Sequence, residues 1–423
     1  MTSSLRVAGT LLVFATMLGL VITRPRRLNE AWWTVAGALT MLACGFVSPR
    51  QALETTLAGK DALIFLLSLL LLSLLVGESG FFEWAAIRSA RLANGNAHAL
   101  YRNAFLLGAV VTAVLSLDTT AVMLTPIVLA LVKKLKLSPA PYVILCAFVS
   151  NVGSLLLPVS NLTNILFAGA FQLSFGAFAA RMVLPQLVAL LTTYGLLRFY
   201  FRREMPARFE TESLPEPARV VPNQRYFMTS AVVLLIVLIG YFVAPLAGVQ
   251  VYVVAFAGCA VLALVGVKTR TLRLRQTAEL SWGVFPFVIG LFITVRGLEN
   301  LGIVDSAAVW LRHAPDSALT TVEVATATAL CANIVNNLPA ALIARSVLLA
   351  SGAHTHAVLA ALVGADAGPM ITPFGSLATM LVLTLARRDG VEVPTSRLVL
   401  LGLWAVPLIV LTATLVLAVL PNT

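Results

Sequence analysis

Two carboxylates stand where a carboxylate is costly. Asp118 lies in LSLDTTAVMLTP and Asp366 in GADAGPMITPFGSLATML, each inside a long apolar stretch. An ionised carboxylate at the centre of a bilayer costs at least ~2.5–3.5 kcal/mol, so each must be partnered, hydrated or protonated. Desolvation favours the neutral acid, and a carboxyl poised between its two forms is suited to taking up and releasing a proton. Proton coupling is the chemistry expected of Asp118 and Asp366. Capping the N-terminus of a following half-helix is compatible with it.

Neutral polar residues surround both acids in a repeated order. SNVGSLLLPVSNLTNIL carries Asn151, Gly153, Pro158, Ser160, Asn161, Leu162 and Asn164. GADAGPMITPFGSLATML carries Asp366, Gly368, Pro373, Gly375, Ser376, Leu377 and Thr379, each 215 residues later. A second polar interruption precedes each copy, with Asp118, Thr119 and Pro126 in the first and Asn333, Asn336, Asn337 and Pro339 in the second. Here the spacing is looser, 215 from Asp118 to Asn333 but 213 between the prolines. Proline removes a helical hydrogen bond and glycine frees the backbone, so these segments break helices. In hydrocarbon each freed backbone group costs several kcal/mol, and a break persists only where it is buried or lines a wet cavity. Paired breaks in corresponding positions point to a midplane transport site. Thr119, Asn151, Ser160, Asn161, Thr163, Asn333, Asn336, Asn337, Ser376 and Thr379 are the candidate substrate-binding residues, since their amides and hydroxyls both donate and accept.

The elements that must position them are read from composition and periodicity. The chain has 423 residues, 59% apolar and 11% charged, against about 25% charged in a soluble protein, which excludes a water-soluble domain. The alternating segments of about 10 residues that mark a transmembrane barrel are not seen. Helices are expected at 6–23, 31–47, 61–79 and 175–200, then at 226–244, 249–267, 282–298 and 396–418. Segments 98–136 and 318–350 read as re-entrant hairpins, and 140–170 and 354–386 as broken helices. The fold class is therefore an all-α integral membrane protein of two inverted-topology repeats, each with a re-entrant hairpin and a broken transmembrane helix. The repeats occupy residues 1–200 and 226–423. The Pro-, Arg- and Glu-rich stretch 201–225 is a linker between them. The run 7–23 lacks a cleavage site and reads as a retained first helix, not a signal peptide.

Charge placement orients this arrangement. The formal net charge is +11, which in a membrane protein speaks of topology and not of nucleic acid. With the hairpins re-entrant, 22 of the 29 lysines and arginines fall on one side, including the linker arginines, Lys133, Lys134, Lys136, Arg387 and Arg388. By the positive-inside rule that side is the cytoplasm. Each half then makes five crossings of the lipid bilayer, an odd number, which inverts the second half and leaves both termini outside. Cys44, Cys146, Cys259 and Cys331 show no CxxC spacing, so neither disulfides nor a zinc site is indicated. No catalytic triad, phosphate-binding loop or metal-ligand spacing is present. The chain is not expected to be an enzyme or to hold a cofactor.

LDTTAVMLTPIVLALV, LPVSNLTNIL, ANIVNNLP and above all GADAGPMITPFGSLATMLVL resemble the signature segments of the arsenical pump membrane protein family, arsenite and antimonite efflux permeases of the ion transporter superfamily. The similarity runs in order over essentially the whole chain and includes WGVFPFVIGLFITVRGLENLG. One departure is visible: Leu117 precedes Asp118 where relatives often carry Asn, so that any role of that Asn is absent here or taken by Ser116 or Thr119. The resemblance implies proton-driven export of trivalent arsenic and antimony as neutral trihydroxides across a bacterial-type inner membrane. It also implies, in some members, a soluble arsenite-stimulated ATPase as partner. A neutral trihydroxide needs donors and acceptors, not a charge clamp, and thiol ligation would hold arsenic too firmly to release. Two other readings stay open, a sodium/proton antiporter using Asp118 and Asp366 as cation ligands and a sodium-coupled dicarboxylate importer. The importer would need paired Ser-Asn-Thr tips, which only Ser160, Asn161 and Thr163 approach. A passive channel would be told apart by flux that ignores the proton gradient.

Overall fold

The computed structural model describes residues 3–23, 29–212, 214–272 and 282–421. Arg24, Arg26, Arg27, Arg273 and Arg275, which enter the charge argument, lie outside the described residues. The first half contains α1 (Ser3–Thr23), α2 (Glu30–Ala43), α3 (Pro49–Ala58), α4 (Lys60–Glu78), α5 (Phe81–Leu92) and α6 (Ala97–Val114). It continues through α7 (Leu117–Thr119), a π-turn at Thr120–Leu124, α8 (Thr125–Lys134), α9 (Ala140–Val152), α10 (Leu162–Ala170) and α11 (Phe175–Tyr200). The second half contains α12 (Gln224–Val243), α13 (Val251–Lys268), α14 (Val284–Glu299), α15 (Ile303–His313) and α16 (Ala318–Val335). It ends with α17 (Asn337–Ser351), α18 (Thr355–Ala367), α19 (Leu377–Arg388) and α20 (Thr395–Val419).

Among the described residues eight helices are long and apolar enough to cross a membrane, nine if α14 and α15, which turn by 74°, form one span. The protein is a multi-pass membrane protein. Three helices, α3, α5 and α15, go beyond the sequence reading, which assigned no helix to their short, mixed-polarity segments. Residues 31–47 are shorter than expected, because Gly45 turns left-handed (φ +68°) just after α2 ends, a common helix stop.

Four pairs of helices from the two halves pack reciprocally, although α3 has no counterpart among the described residues of the second half. Helix α2 lies on α14 and α13 on α4, while α10 meets α17 and α19 meets α8. Each helical hairpin returns to the end of the molecule it left. Ala97 N–H donates to Ala207 O at the start of the first. At its finish Lys133 pairs with Asp389 (3.7 Å), and nearby Arg397 pairs with Glu204 of the linker. In the second, Arg312 donates to Ala350 O (2.7 Å), closing the base.

The hairpins correct one sequence alignment. The return arms begin after Ser116 and Asn336, each of which accepts a backbone N–H as N-cap. Ser116 therefore matches Asn336, and Asn333 belongs to the last turn of α16, not to the place of Asp118.

Small residues bring the interrupted helix α18 against α16. A Cβ on Gly364 would lie 2.2 Å from Ala325 O, and one on Gly368 would lie 2.5 Å from the Ala329 Cβ. This small-xxx-small contact fixes the helix that carries Asp366.

Candidate functional site

Both helix breaks are stitched by side chains. After α9 the chain tightens into 3-10 turns at Gly153–Leu155 and Pro158–Ser160. Asn161, extended at φ −151° and ψ 145°, caps α10 through Thr163 N (3.4 Å). Asn164 Nδ2 donates to Ser154 O (2.7 Å) and Leu157 O (3.1 Å), and Gln186 of α11 donates to Val152 O (2.9 Å). At the second break the hairpin supplies the partners. Asn333 Oδ1 accepts from Ile371 N (3.1 Å) and Thr372 N (3.0 Å), and its Nδ2 donates to Gly368 O (2.8 Å). Asn336 Nδ2 donates to Phe374 O (2.9 Å), and Asn337 N–H to Gly375 O (2.7 Å). These bonds satisfy internally the named backbone groups of the two breaks, as the bilayer requires, while the first turn of α19 has no side-chain cap.

Where the broken helices cross, the last turn of each first half-helix meets the first turn of the other's second half-helix. Asp366, fully buried, accepts at Oδ1 from Asn161 Nδ2 (2.8 Å) and Thr163 Oγ1 (2.7 Å). Asn151 Nδ2 donates to Thr379 Oγ1 (3.0 Å). Three buried atoms there have no partner among the described residues: Asp366 Oδ2, Asn151 Oδ1 and Ser376 Oγ. Ser160 Oγ instead donates to Ala113 O (2.7 Å), tying the first break to α6.

The tip of the first hairpin is a separate cluster. Thr119 Oγ1 lies 2.7 Å from Ser73 Oγ and 2.9 Å from Ser116 Oγ. Pro126 has no N–H for the carbonyl of Val122, and the arm widens into the π-turn, a feature frequent at functional sites. Asp118 is half-buried and makes no hydrogen bond or ion pair among the described residues. The structure does not bring it into the Asp366 network. At the other tip Asn336 adopts φ +81° and ψ 156°, a region left almost entirely to glycine. That strain is stored beside the second break. Cys146 is buried and Cys331 half-buried, and among the described residues no three His, Cys, Asp or Glu side chains gather as metal ligands.

A cavity of about 730 Å³ opens at the end away from the linker, lined by Asp61, Pro158, Gln172, Gln250, Tyr252 and Arg345 among others. Its inner wall reaches Pro158, two residues before Ser160. Arg345 Nε is buried with no partner among the described residues, while Glu299 nearby accepts from Arg296 (2.8 Å) and Ser346. Sequence reasoning missed Ser73, Thr372 and the stitching role of Asn164. Of these only Asn164 carried a signal, its place in the repeated pattern.

Long spans, paired interrupted helices and a buried neutral polar crossing with one carboxylate define a membrane permease. The crystal structure of the YdaH transporter from Alcanivorax borkumensis has this fold, with a TM-score of 0.56 over 84% of each chain at 17% identity. The arsenical pump membrane protein family matches residues 9–420. The chain is 34% identical to an arsenical pump membrane protein of Escherichia coli, covering 90% of this chain and 91% of that one. It is 32% identical over the same shares to one of Yersinia enterocolitica. The chain belongs to the arsenical pump membrane protein family, whose members are permeases, not enzymes.

Proposed function

We propose that this chain exports trivalent arsenic and antimony from the cytoplasm as neutral trihydroxides in exchange for protons. The observation that carries the reading is Asp366, a buried carboxylate at the crossing of two interrupted helices whose other polar groups are neutral. The names of the relatives support the substrate class. A trihydroxide leaving water must exchange its hydrogen bonds for others, and Asn151, Asn161, Thr163, Ser376 and Thr379 supply both kinds. One oxygen of Asp366 is fixed by two donors and the other is free to take a proton. A neutral acid crosses an apolar barrier at far less cost than a carboxylate. Asp366 would gain its proton as substrate leaves outward and lose it as substrate binds from the cytoplasm.

The same proposal takes residues 1–200 and 226–423 as inverted repeats, each with a re-entrant hairpin, and the linker 201–225 as cytoplasmic. The reciprocal packing of α2 on α14 and α13 on α4 supports it. The cavity at the far end is then the external exit.

Arsenite uptake into everted membrane vesicles, with an imposed proton gradient and with or without sodium, tests the reading. Uptake should follow an acid interior, collapse with a protonophore and ignore sodium. Flux indifferent to the gradient, or dependent on sodium, would overturn it.

A further inference from the structure

The helix crossings are matched in sequence but not in chemistry. Asn151 stands 215 residues before Asp366, and Asn161 the same distance before Ser376. At the start of α10 the polar groups are occupied. Asn161 Oδ1 caps Thr163 N, while the Asn161 amide and the Thr163 hydroxyl both hold Asp366.

At the start of α19 they are not occupied. Ser376 holds the N-cap position yet makes no capping bond, and its Oγ has no partner at 0% exposure. Asn151, 1% exposed, gives its amide hydrogens to Thr379 Oγ1 and Ala147 O but leaves Oδ1 without a partner. Buried polar atoms in native proteins are nearly always hydrogen-bonded, so two orphans at one helix start point to a ligand that completes them.

We infer that the substrate's hydroxyl oxygens bind at the N-terminus of α19, between Ser376 Oγ and Asn151 Oδ1, while the protein's own Asp366 carboxylate fills the matching place on α10. This rests on the proposed export of a trihydroxide and assigns its subsite. The helix N-terminus and the Ser376 hydroxyl donate to a substrate oxygen, and Asn151 Oδ1 accepts a substrate hydroxyl. The set selects for a ligand that both accepts and donates hydrogen bonds. A cation meets the positive end of the helix, and an anion without a hydroxyl proton leaves Asn151 Oδ1 unsatisfied. A small neutral hydroxide satisfies both, and no thiol is involved.

The inference makes the Asn151→Asp variant a self-ligand. It places a carboxylate on the first turn of α19 as Asp366 is placed on α10, so the protein competes with its own substrate.

Equilibrium binding of radiolabelled arsenite to purified full-length protein in detergent tests this, with thermal unfolding as the check on fold. Ser376→Ala and Asn151→Asp should each weaken binding by about tenfold or more, a loss of roughly 1.4 kcal/mol. The double Cys146→Ala, Cys331→Ala variant should bind as wild type. If Asn151→Asp does not fold, the smaller Ser376→Ala change decides alone. Normal binding by the Ser376 and Asn151 variants, or loss confined to the thiol variant, overturns the subsite and leaves the export reading standing. Wild-type protein that binds no arsenite overturns the export reading, and the subsite with it.

Discussion

Asp366 is the residue on which transport should turn. Proton transfer by a positioned group is worth about 10²–10⁴-fold in rate, so Asp366→Asn should abolish gradient-driven arsenite uptake in everted vesicles at normal membrane expression. Thr163→Val removes one of the two donors to Oδ1 and should cost roughly 1.5–3 kcal/mol of carboxylate stabilisation, seen as a slower but still coupled flux. A double Ala variant at Cys146 and Cys331 should retain most transport. Active Asp366→Asn beside a dead thiol variant would overturn this site chemistry. Asp366 was legible because an apolar run rarely tolerates a carboxylate. Its partners were legible only singly. Nothing in the spacing of Asn161 and Thr163 says that they reach across 205 and 203 residues to one carboxyl oxygen. The same logic chose Asp118, which the structure leaves half-buried with no hydrogen bond or ion pair among the described residues, since an apolar run does not reveal which face of a hairpin a residue takes.

At the scale of elements, the breaks and the helix that carries Asp366 make distinct demands. Gly364 has no room for a side chain, since the obstacle to its Cβ is the Ala325 backbone at 2.2 Å. Overpacking typically costs about 1–3 kcal/mol, and Gly364→Leu should lower the melting temperature and the folded yield. Gly169 of α10, with nothing within 4 Å of its Cβ position, should accept Ala with little change. Equal stability of the two variants would remove the close α16–α18 contact from the account. Ser160→Leu and Ser376→Leu address function. Both serines are fully buried, and a lipid-facing kink would accept Leu, since lipid is as apolar as Leu. Severe loss of export is expected from each, and near-normal export by both would return the breaks to mere kinks. The proline and glycine pattern made both breaks legible in the sequence. The short helices α3, α5 and α15 were not, because about three turns of mixed polarity carry too little periodicity to stand out from a loop. The starts of α5 and α15 at Gly80 and Gly302, both left-handed, depend on a conformation that the residue type permits but does not announce.

The whole molecule has two unlike ends, and their orientation is a prediction drawn from charge. At one end the linker bonds to the starts and finishes of several helices. Arg91 donates to Leu214 O, Ala97 to Ala207 O and Arg397 to Glu204. At the other end, where the cavity opens, Arg6 donates to Gly45 O and Asn300 to Phe46 O. The charge pattern of the sequence, which puts 22 of the 29 basic residues on the linker side, predicts that this end is cytoplasmic. The orientation decides whether the cavity receives substrate or releases it. Thr211, exposed in the linker, and Gln250, exposed at the cavity mouth, report on opposite ends. Cys44 is exposed as well and must first be replaced by Ser. In that background, Gln250→Cys should react with a membrane-impermeant maleimide in intact cells, and Thr211→Cys only after the membrane is opened. Labelling of Thr211→Cys from outside would turn the molecule over. The cavity would then face the cytoplasm and load substrate, and the export cycle would have to start from the state seen here instead of ending in it.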